Sequence, residues 1–270
     1  MRAGPPILIY LRICRDDESS RCEFVVTTSV FREQMKYLAR RNYYTPRLSE
    51  VLTWNGQAPR TEKAPVVLTF DDGYLDNFEN ALPILQEFGF TGAVFPVLDL
   101  DRRTSWWDDL PALRAALMSP RQIRGMEHAG MEFGSHSLSH RSLPQLTDSE
   151  LAEELTRSRE VLGSIVERPL AVLAYPYGAA NERVKRAVQR AGYSAALAVN
   201  SGPLAIETDR YEIRRVPVTN RASEAYMKFK LSGAEQRYRW LKWKVRQGLR
   251  FSGLPGKSHG TVSRCERLTW

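Results

Sequence analysis

Histidine and cysteine are scarce in this chain, at four and three of 270 residues. The cysteines, Cys14, Cys22 and Cys265, are odd in number and form no Cys-x-x-Cys spacing, which fits a reducing compartment better than a disulfide framework. No run approaches the roughly twenty apolar residues of a membrane span. The opening stretch MRAGPPILIYLRICRDDE has one arginine, two prolines and a very short apolar run before charges begin. A signal peptide needs a longer apolar region and a cleavage site, so the expectation is a cytoplasmic chain. A glycine-rich first turn, internal repeats and low-complexity stretches are also missing. Acids are absent where bases gather: from Lys228 to Arg250 there are eight Lys/Arg against Glu235 alone. That segment's net +7 nearly accounts for the formal +8 of the whole chain.

What remains is an ordinary soluble balance, 43% hydrophobic and 26% charged, long enough for one large α/β domain or two small ones. Apolar β-prone runs alternate with helical patterns. Strands are expected at 6–13, 64–70, 91–98, 131–136, 170–178, 193–200 and 211–218. Helices are expected where Phe31, Met35 and Leu38 share a face, through NALPILQEFGF, around LPALRAALM (110–118), after the Thr147/Glu150 capping box, and after Asn181. Strands joined by helical crossovers predict a mainly parallel sheet. Seven or so such units without a dinucleotide-binding turn favour a barrel over an open sheet. The alternation stops near Ser232, which divides a barrel domain, 1–231, from a basic aromatic extension, 232–270, read as a helix and a poorly ordered tail.

Two short stretches carry chemistry. VVLTFDDGYLDN places Asp71 and Asp72 directly after a buried strand, the end of a parallel barrel where active-site groups collect. Two adjacent carboxylates there call for a cation or hydrogen-bond donors, although one could simply cap a turn while the other is solvated. MEFGSHSLSH holds His136 and His140, which on one helical turn would face the same way. With AYPYG (174–178) after a third strand, one carboxylate and two imidazoles make a three-ligand site with open positions. That set suits catalytic Zn²⁺ and equally describes a non-haem Fe(II) triad. A second carboxylate beside it favours hydrolysis.

TFDDGY at 69–74, HSLSH at 136–140 and AYPYG at 174–178 resemble the three motifs of the NodB-homology polysaccharide deacetylases, carbohydrate esterase family 4. The third has the form used by the poly-N-acetylglucosamine deacetylase branch. The resemblance runs from about Pro6 to Val218. It implies a distorted (β/α) barrel of about seven strands, a divalent metal, usually zinc, and removal of N- or O-acetyl groups from sugars. It assigns Asp71 as general base, Asp72, His136 and His140 as metal ligands, and the Tyr177 backbone N–H as oxyanion donor. Pro176 belongs to the third motif and is assigned to substrate binding. Trp106 and Trp107 in SWWDDL fall where relatives carry aromatics near the sugar mouth, and a packed loop is the competing reading. The branch usually has a histidine, taken as general acid, where this chain has Leu11. The arginine that many relatives place ahead of the third motif is also missing; Arg214 or Arg215 in IRRVPV is the candidate to reach the substrate instead, with a surface strand end as the competing reading. Leu11 leaves three readings open: a slow enzyme, an enzyme whose acid is water or a substrate group, or a protein that binds glycan or a partner without turnover.

The extension can be drawn as a helix over 238–251, with Tyr238, Leu241, Val245 and Leu249 on one face and Trp240 and Trp243 among basic residues. Tryptophan with Lys/Arg suits an anionic membrane surface. A helix packed on the barrel is the bland alternative, and nucleic acid ranks below both.

Overall fold

Seven of the apolar runs become strands: β1 (Ile7–Tyr10), β2 (Val67–Asp72), β3 (Ala93–Pro96), β4 (Glu132–Phe133), β5 (Val172–Ala174), β6 (Ala195–Val199) and β7 (Ile213–Pro217). The computed structural model describes residues 4–18, 22, 24–54, 59, 61–108, 111–199 and 209–232. The seven strands pair in parallel throughout, in the order β4-β3-β2-β1-β7-β6-β5. The two edges then meet, because Ser135 bridges Leu173. Across that seam the Ser135 N–H donates to the Val172 carbonyl at 3.0 Å and the Ala174 N–H to the Ser135 carbonyl at 2.8 Å. Joining the edges makes the order cyclic, one to seven, which is a distorted (β/α) barrel. Gly134 permits the seam: a Cβ there would collide with the Phe95 ring and stand 2.7 Å from the Val172 carbonyl oxygen.

The period-two alternation of strand side chains sorts residues into two layers. Ile7, Val67, Ala93, Phe95, Val172, Ala174, Ala195, Leu197 and Ile213 pack with one another inside the barrel. Leu8, Tyr10, Leu68, Phe70 and Val94 take the opposite parity and pack outward against helices. Continuing the inward series puts Thr69 and Asp71 of β2 and Arg215 of β7 inside, while Arg214 falls outside.

Besides a single turn at Leu48–Val51, the helices are α1 (Thr28–Arg40), α2 (Leu82–Glu87), α3 (Pro120–His128), α4 (Asp148–Ile165), α5 (Glu182–Arg190) and α6 (Glu224–Leu231). Phe31, Met35 and Leu38 are buried on α1 as their spacing predicts. The Thr147/Glu150 capping box opens α4, and the Asn181 side chain accepts from the Val184 N–H at 3.0 Å to open α5. No described helix is long and apolar enough to cross a membrane.

Two expectations need correction. The first strand stops at Tyr10, and Arg12–Cys14 leaves the barrel to pair with Val25–Thr27. Among the described residues 111–118 the expected helix is absent; a single 3-10 turn, Pro111–Leu113, is followed by bridges from Ala116 to Thr104 and Leu117 to Tyr74. Side chains intercept the carbonyls a helix would use. Arg12 donates to the Ala112 carbonyl, and both the Tyr74 hydroxyl and Ser105 Oγ donate to that of Leu113. The neighbouring helix is instead α3, opened by a Ser119/Gln122 capping box with Pro120 in its first turn. The basic extension at 233–270, including 238–251, lies outside the described residues.

Candidate metal centre

Parallel strands present their C-terminal ends on one face, and the motif residues meet there. Asp71 and Asp72 end β2, His136 follows β4 by three residues, and Tyr177 follows β5 by three. Asp72, His136 and His140 are all buried, and their ligand atoms lie within 4.8 Å of one another. Asp72 Oδ1 is 3.4 Å from His136 Nε2 and 3.3 Å from His140 Nε2. Two donors each about 2.1 Å from a tetrahedral ion stand about 3.4 Å apart, so these separations fit a divalent ion between them.

The second nitrogen of His136 strengthens that fit. His136 Nδ1 is 2.8 Å from the Ala174 carbonyl, which can only accept, so Nδ1 carries the hydrogen. In the neutral ring Nε2 then points a lone pair at the Asp72 carboxylate. Two acceptors 3.4 Å apart need a cation between them, a metal or a proton.

His136 and His140 do not share a helical turn, and this corrects the expectation drawn from their spacing. Five described non-glycine residues have positive φ, and four of them, Asp72, Ser137, His140 and Tyr177, lie at this centre. Such conformations cost on the order of 1–3 kcal/mol each and persist where the surroundings over-determine them. Here they do: the Ser137 N–H donates to Ser135 Oγ and the His140 N–H to Ser137 Oγ, each at 3.1 Å. The Asp99 N–H donates to the Leu138 carbonyl at 2.7 Å. From α4, Glu154 accepts the Leu138 and Ser139 N–H groups on one oxygen, both at 3.0 Å, and the Ser139 hydroxyl on the other. After Asp72, Gly73 turns at φ +79° with its α-carbon so close to Pro96 that a Cβ would lie 2.7 Å from that ring.

Asp71 sits beside the cluster, with Oδ2 3.9 Å from His136 Nε2. Arg215 binds it at two points, Nη1 to Oδ1 at 2.6 Å and Nη2 to Oδ2 at 2.7 Å. Its other contacts are Thr69 Oγ1, the Ala198 carbonyl and the face of Phe95. Arg215 has no exposed surface, so the expected substrate contact is replaced by one to the carboxylate. Pro176 is buried as well, which leaves half-buried Tyr177 and Gly178 as the accessible part of the motif.

The half-buried tryptophans form a wall. Trp107 stacks on His140 with ring centroids 4.7 Å apart and planes 20° apart, and Trp106 meets Trp107 edge-on at 4.6 Å. Tyr177 meets His140 edge-on at 4.6 Å. One face of Trp107 is thus committed to the imidazole, and Arg102 lies over Trp106. Leu11 is buried with Ile9, Phe24, Tyr74, Leu117 and Val199, and both tryptophans pack against this cluster. His128 is far away at the end of α3, exposed beside Glu167; His259 lies outside the described residues.

Glu154 is the contributor that sequence reasoning missed. The signal was present: residues 151, 154, 155, 158 and 162 share the buried face of α4, and a carboxylate there requires a polar partner. Asp108 is a second case, buried and accepting from the Tyr74 hydroxyl at 2.9 Å.

A family model for polysaccharide deacetylases matches residues 58–196, just over half of the chain. A poly-beta-1,6-N-acetyl-D-glucosamine N-deacetylase of Staphylococcus epidermidis is 22% identical over 214 residues, covering 76% of this chain and 72% of that protein. One of Escherichia coli is 28% identical over 243 residues, covering 77% of this chain but 36% of its own length. Among solved structures, the Streptococcus pyogenes deacetylase PplD in complex with acetate superposes with a TM-score of 0.74 at 22% identity, covering 86% of this chain and 99% of that one. IcaB from Ammonifex degensii gives 0.65 at 21%, covering 80% and 92%. At these identities the structural likeness speaks for the fold.

Proposed function

The chain belongs to the polysaccharide deacetylase family, and from that premise we propose that it is a metal-dependent hydrolase removing acetyl groups from a carbohydrate. The observation that carries the reading is the pairing of an Asp72–His136–His140 ligand cluster with a second carboxylate, Asp71, 3.9 Å from one of its imidazoles. A divalent ion held by Asp72, His136 and His140, with zinc the best match to the donor set, would supply Lewis-acid polarisation of the acetyl carbonyl and activation of water.

The chain's own residues divide the remaining work. Asp71 accepts the proton of the attacking water. Arg215 uses two of the roughly four lone-pair sites of that carboxylate, fixing its plane and leaving others for the proton. The Tyr177 backbone N–H, held in its left-handed conformation, donates to the developing oxyanion, a contribution typically about 3–4 kcal/mol for one donor. Trp107 excludes water from one side of His140 and keeps that ring in place. The acyl-bearing sugar approaches past Tyr177 and the Trp106/Trp107 wall. Polymeric or lipid-linked amino sugars are the preferred class, in line with what the names of the Staphylococcus and Escherichia relatives say of those proteins.

A second reading is favoured by Leu11, which packs with Ile9, Phe24, Leu117 and Val199, while the Tyr74 hydroxyl of the same cluster is engaged by Asp108 and the Leu113 carbonyl. In that reading the protein binds acetylated glycan and turns it over slowly or not at all. Acetate release from partly acetylated amino-sugar oligomers and from O-acetylated sugars, measured with Zn²⁺-loaded protein, separates the two. Release that disappears in Asp71→Asn and His136→Ala supports the hydrolase. Saccharide binding with release no greater than in those variants supports the binding protein, and oxygen consumption with Fe(II) would overturn both.

A further inference from the structure

We infer that Glu154 is a positioning residue of the metal centre, whose carboxylate folds the 137–140 turn into its ligand-ready shape before any ion arrives. The inference rests on the metal-dependent reading above and extends it to a residue on a different element.

Four facts support it. Glu154 projects from α4 and is buried, yet all three of its hydrogen bonds go to two residues of one turn, Leu138 and Ser139. Those residues are the middle of the stretch that separates His136 from His140. The turn holds two left-handed residues, Ser137 and His140, which a free chain would avoid. Finally, no ion pair among the described residues involves Glu154, so the turn's own donors stabilise the buried carboxylate.

The consequence is reciprocal. Glu154 needs the turn to satisfy its oxygens, and the turn needs Glu154 to present the His140 ring at 3.3 Å from Asp72. One helical turn earlier, Glu150 accepts from the Arg141 side chain at 2.9 Å, so α4 grips the segment on both sides of His140. A site shaped before loading spends none of its metal affinity on ordering the loop. Groups that orient ligands in this way typically change metal affinity about 10–100-fold when removed.

The test uses the full chain stripped of metal by chelation, with Zn²⁺ alone as titrant against a competing chelator and Co²⁺ as a visible-spectrum probe. Glu154→Ala should weaken Zn²⁺ about 10–100-fold and change the Co²⁺ d–d bands. Glu154→Gln keeps an acceptor oxygen for both N–H groups and should restore affinity and spectrum to near wild type. Ser139→Ala, which removes one donor and serves if the alanine variant does not fold, should cost about 2–10-fold. A merely structural Glu154 would lower the melting temperature of the metal-free variants and leave the Zn²⁺ affinity of the folded protein unchanged. Affinities within twofold of wild type for Glu154→Ala, or for Ser139→Ala if only that folds, overturn the inference. So does a glutamine variant as impaired as the alanine one. A wild type that binds no Zn²⁺ removes the metal-dependent reading and this inference together, whereas a binding wild type with unaffected variants removes this one alone.

Discussion

Arg215 on β7 grips Asp71 on β2 through two parallel hydrogen bonds of 2.6 and 2.7 Å, and neither strand is the other's neighbour in the sheet. β1 lies between them, so the pair spans the barrel interior and sets where the carboxylate can point. Arg215→Lys keeps a charge and loses the two-point geometry. A misplaced base typically costs about 10²-fold, so kcat/KM should fall by that order while Zn²⁺ affinity stays near wild type. Arg215→Ala leaves the carboxylate buried and unpaired, and should cost about 3–5 kcal/mol in denaturant unfolding.

Metal and base should separate cleanly. Wild type should bind one Zn²⁺ per chain, and its stability should rise by about 2.7 kcal/mol at a free ion concentration 100 times Kd. Asp72→Asn or His136→Ala should abolish that rise in thermal melts. Asp71→Asn should keep it and lose acetate release. A metal-induced rise that survives in Asp72→Asn places the ion elsewhere.

Leu11→His tests the second reading, in which the leaving amine has no positioned acid. Leu11→His should raise the rate on N-acetyl substrates by about 10²-fold or more, since a positioned acid typically contributes 10²–10⁴-fold. O-acetyl substrates, whose leaving group departs more easily, should gain less. Introducing an imidazole among Phe24, Leu117 and Val199 should also cost about 1–3 kcal/mol in stability. An unchanged N-acetyl rate would show that the proton arrives from elsewhere.

Glu150 gives a pH signature. Bonds from the Thr147 backbone and the Arg141 side chain pull its pKa from 4.5 down to about 2. A carboxyl depressed on folding adds stability above its unfolded pKa and loses it as pH falls through the folded value. The melting temperature of wild type should therefore exceed that of Glu150→Gln above about pH 5, with the gap closing towards pH 2. Both residues are on the surface, so the gap is small. A gap that widens on acidification contradicts the assignment.

We also propose that the basic run at 238–251 meets an anionic membrane. Each Lys or Arg near such a surface contributes about 1 kcal/mol. Full-length chain should be retained on vesicles containing phosphatidylserine, and Lys242→Glu/Lys244→Glu/Arg246→Glu should release it. Equal retention of both would set the proposal aside.

Much of the fold was readable because burial imposes a period. The choice between Arg214 and Arg215 was not readable, because both faces of 67–72 are buried and 213–217 has an arginine at each parity; only the packing of Val67 and Ile213 inside the barrel fixes the parity that puts Asp71 and Arg215 inside. Capping boxes located α4 directly, and the same logic applied to Ser119 and Gln122 would have located α3. The expected helix over 110–118 failed because its carbonyls were claimed by Arg12, Tyr74 and Ser105, side chains distant in sequence. The left-handed backbone at Ser137 and His140 was illegible for a related reason. Neither residue favours that conformation, and it is held by contacts from β3's exit and from α4. For Trp106 and Trp107 the sequence left a sugar mouth and a packed loop both open, and only the folded chain shows one face of Trp107 lying on the His140 imidazole.

The barrel is shut by its two shortest strands, β4 and β5, through a single bridge at Ser135. His136 is the next residue, and its Nδ1–H crosses the same seam to Ala174. Any breathing motion that parts these strands must also swing the imidazole away from Asp72. Closure of the barrel and readiness of the imidazole are therefore one event, and an ion in the site would act as the latch on a door. Amide hydrogens of Ser135 and Ala174 should consequently exchange more slowly in zinc-loaded protein than in stripped protein, although neither residue is among the ligands.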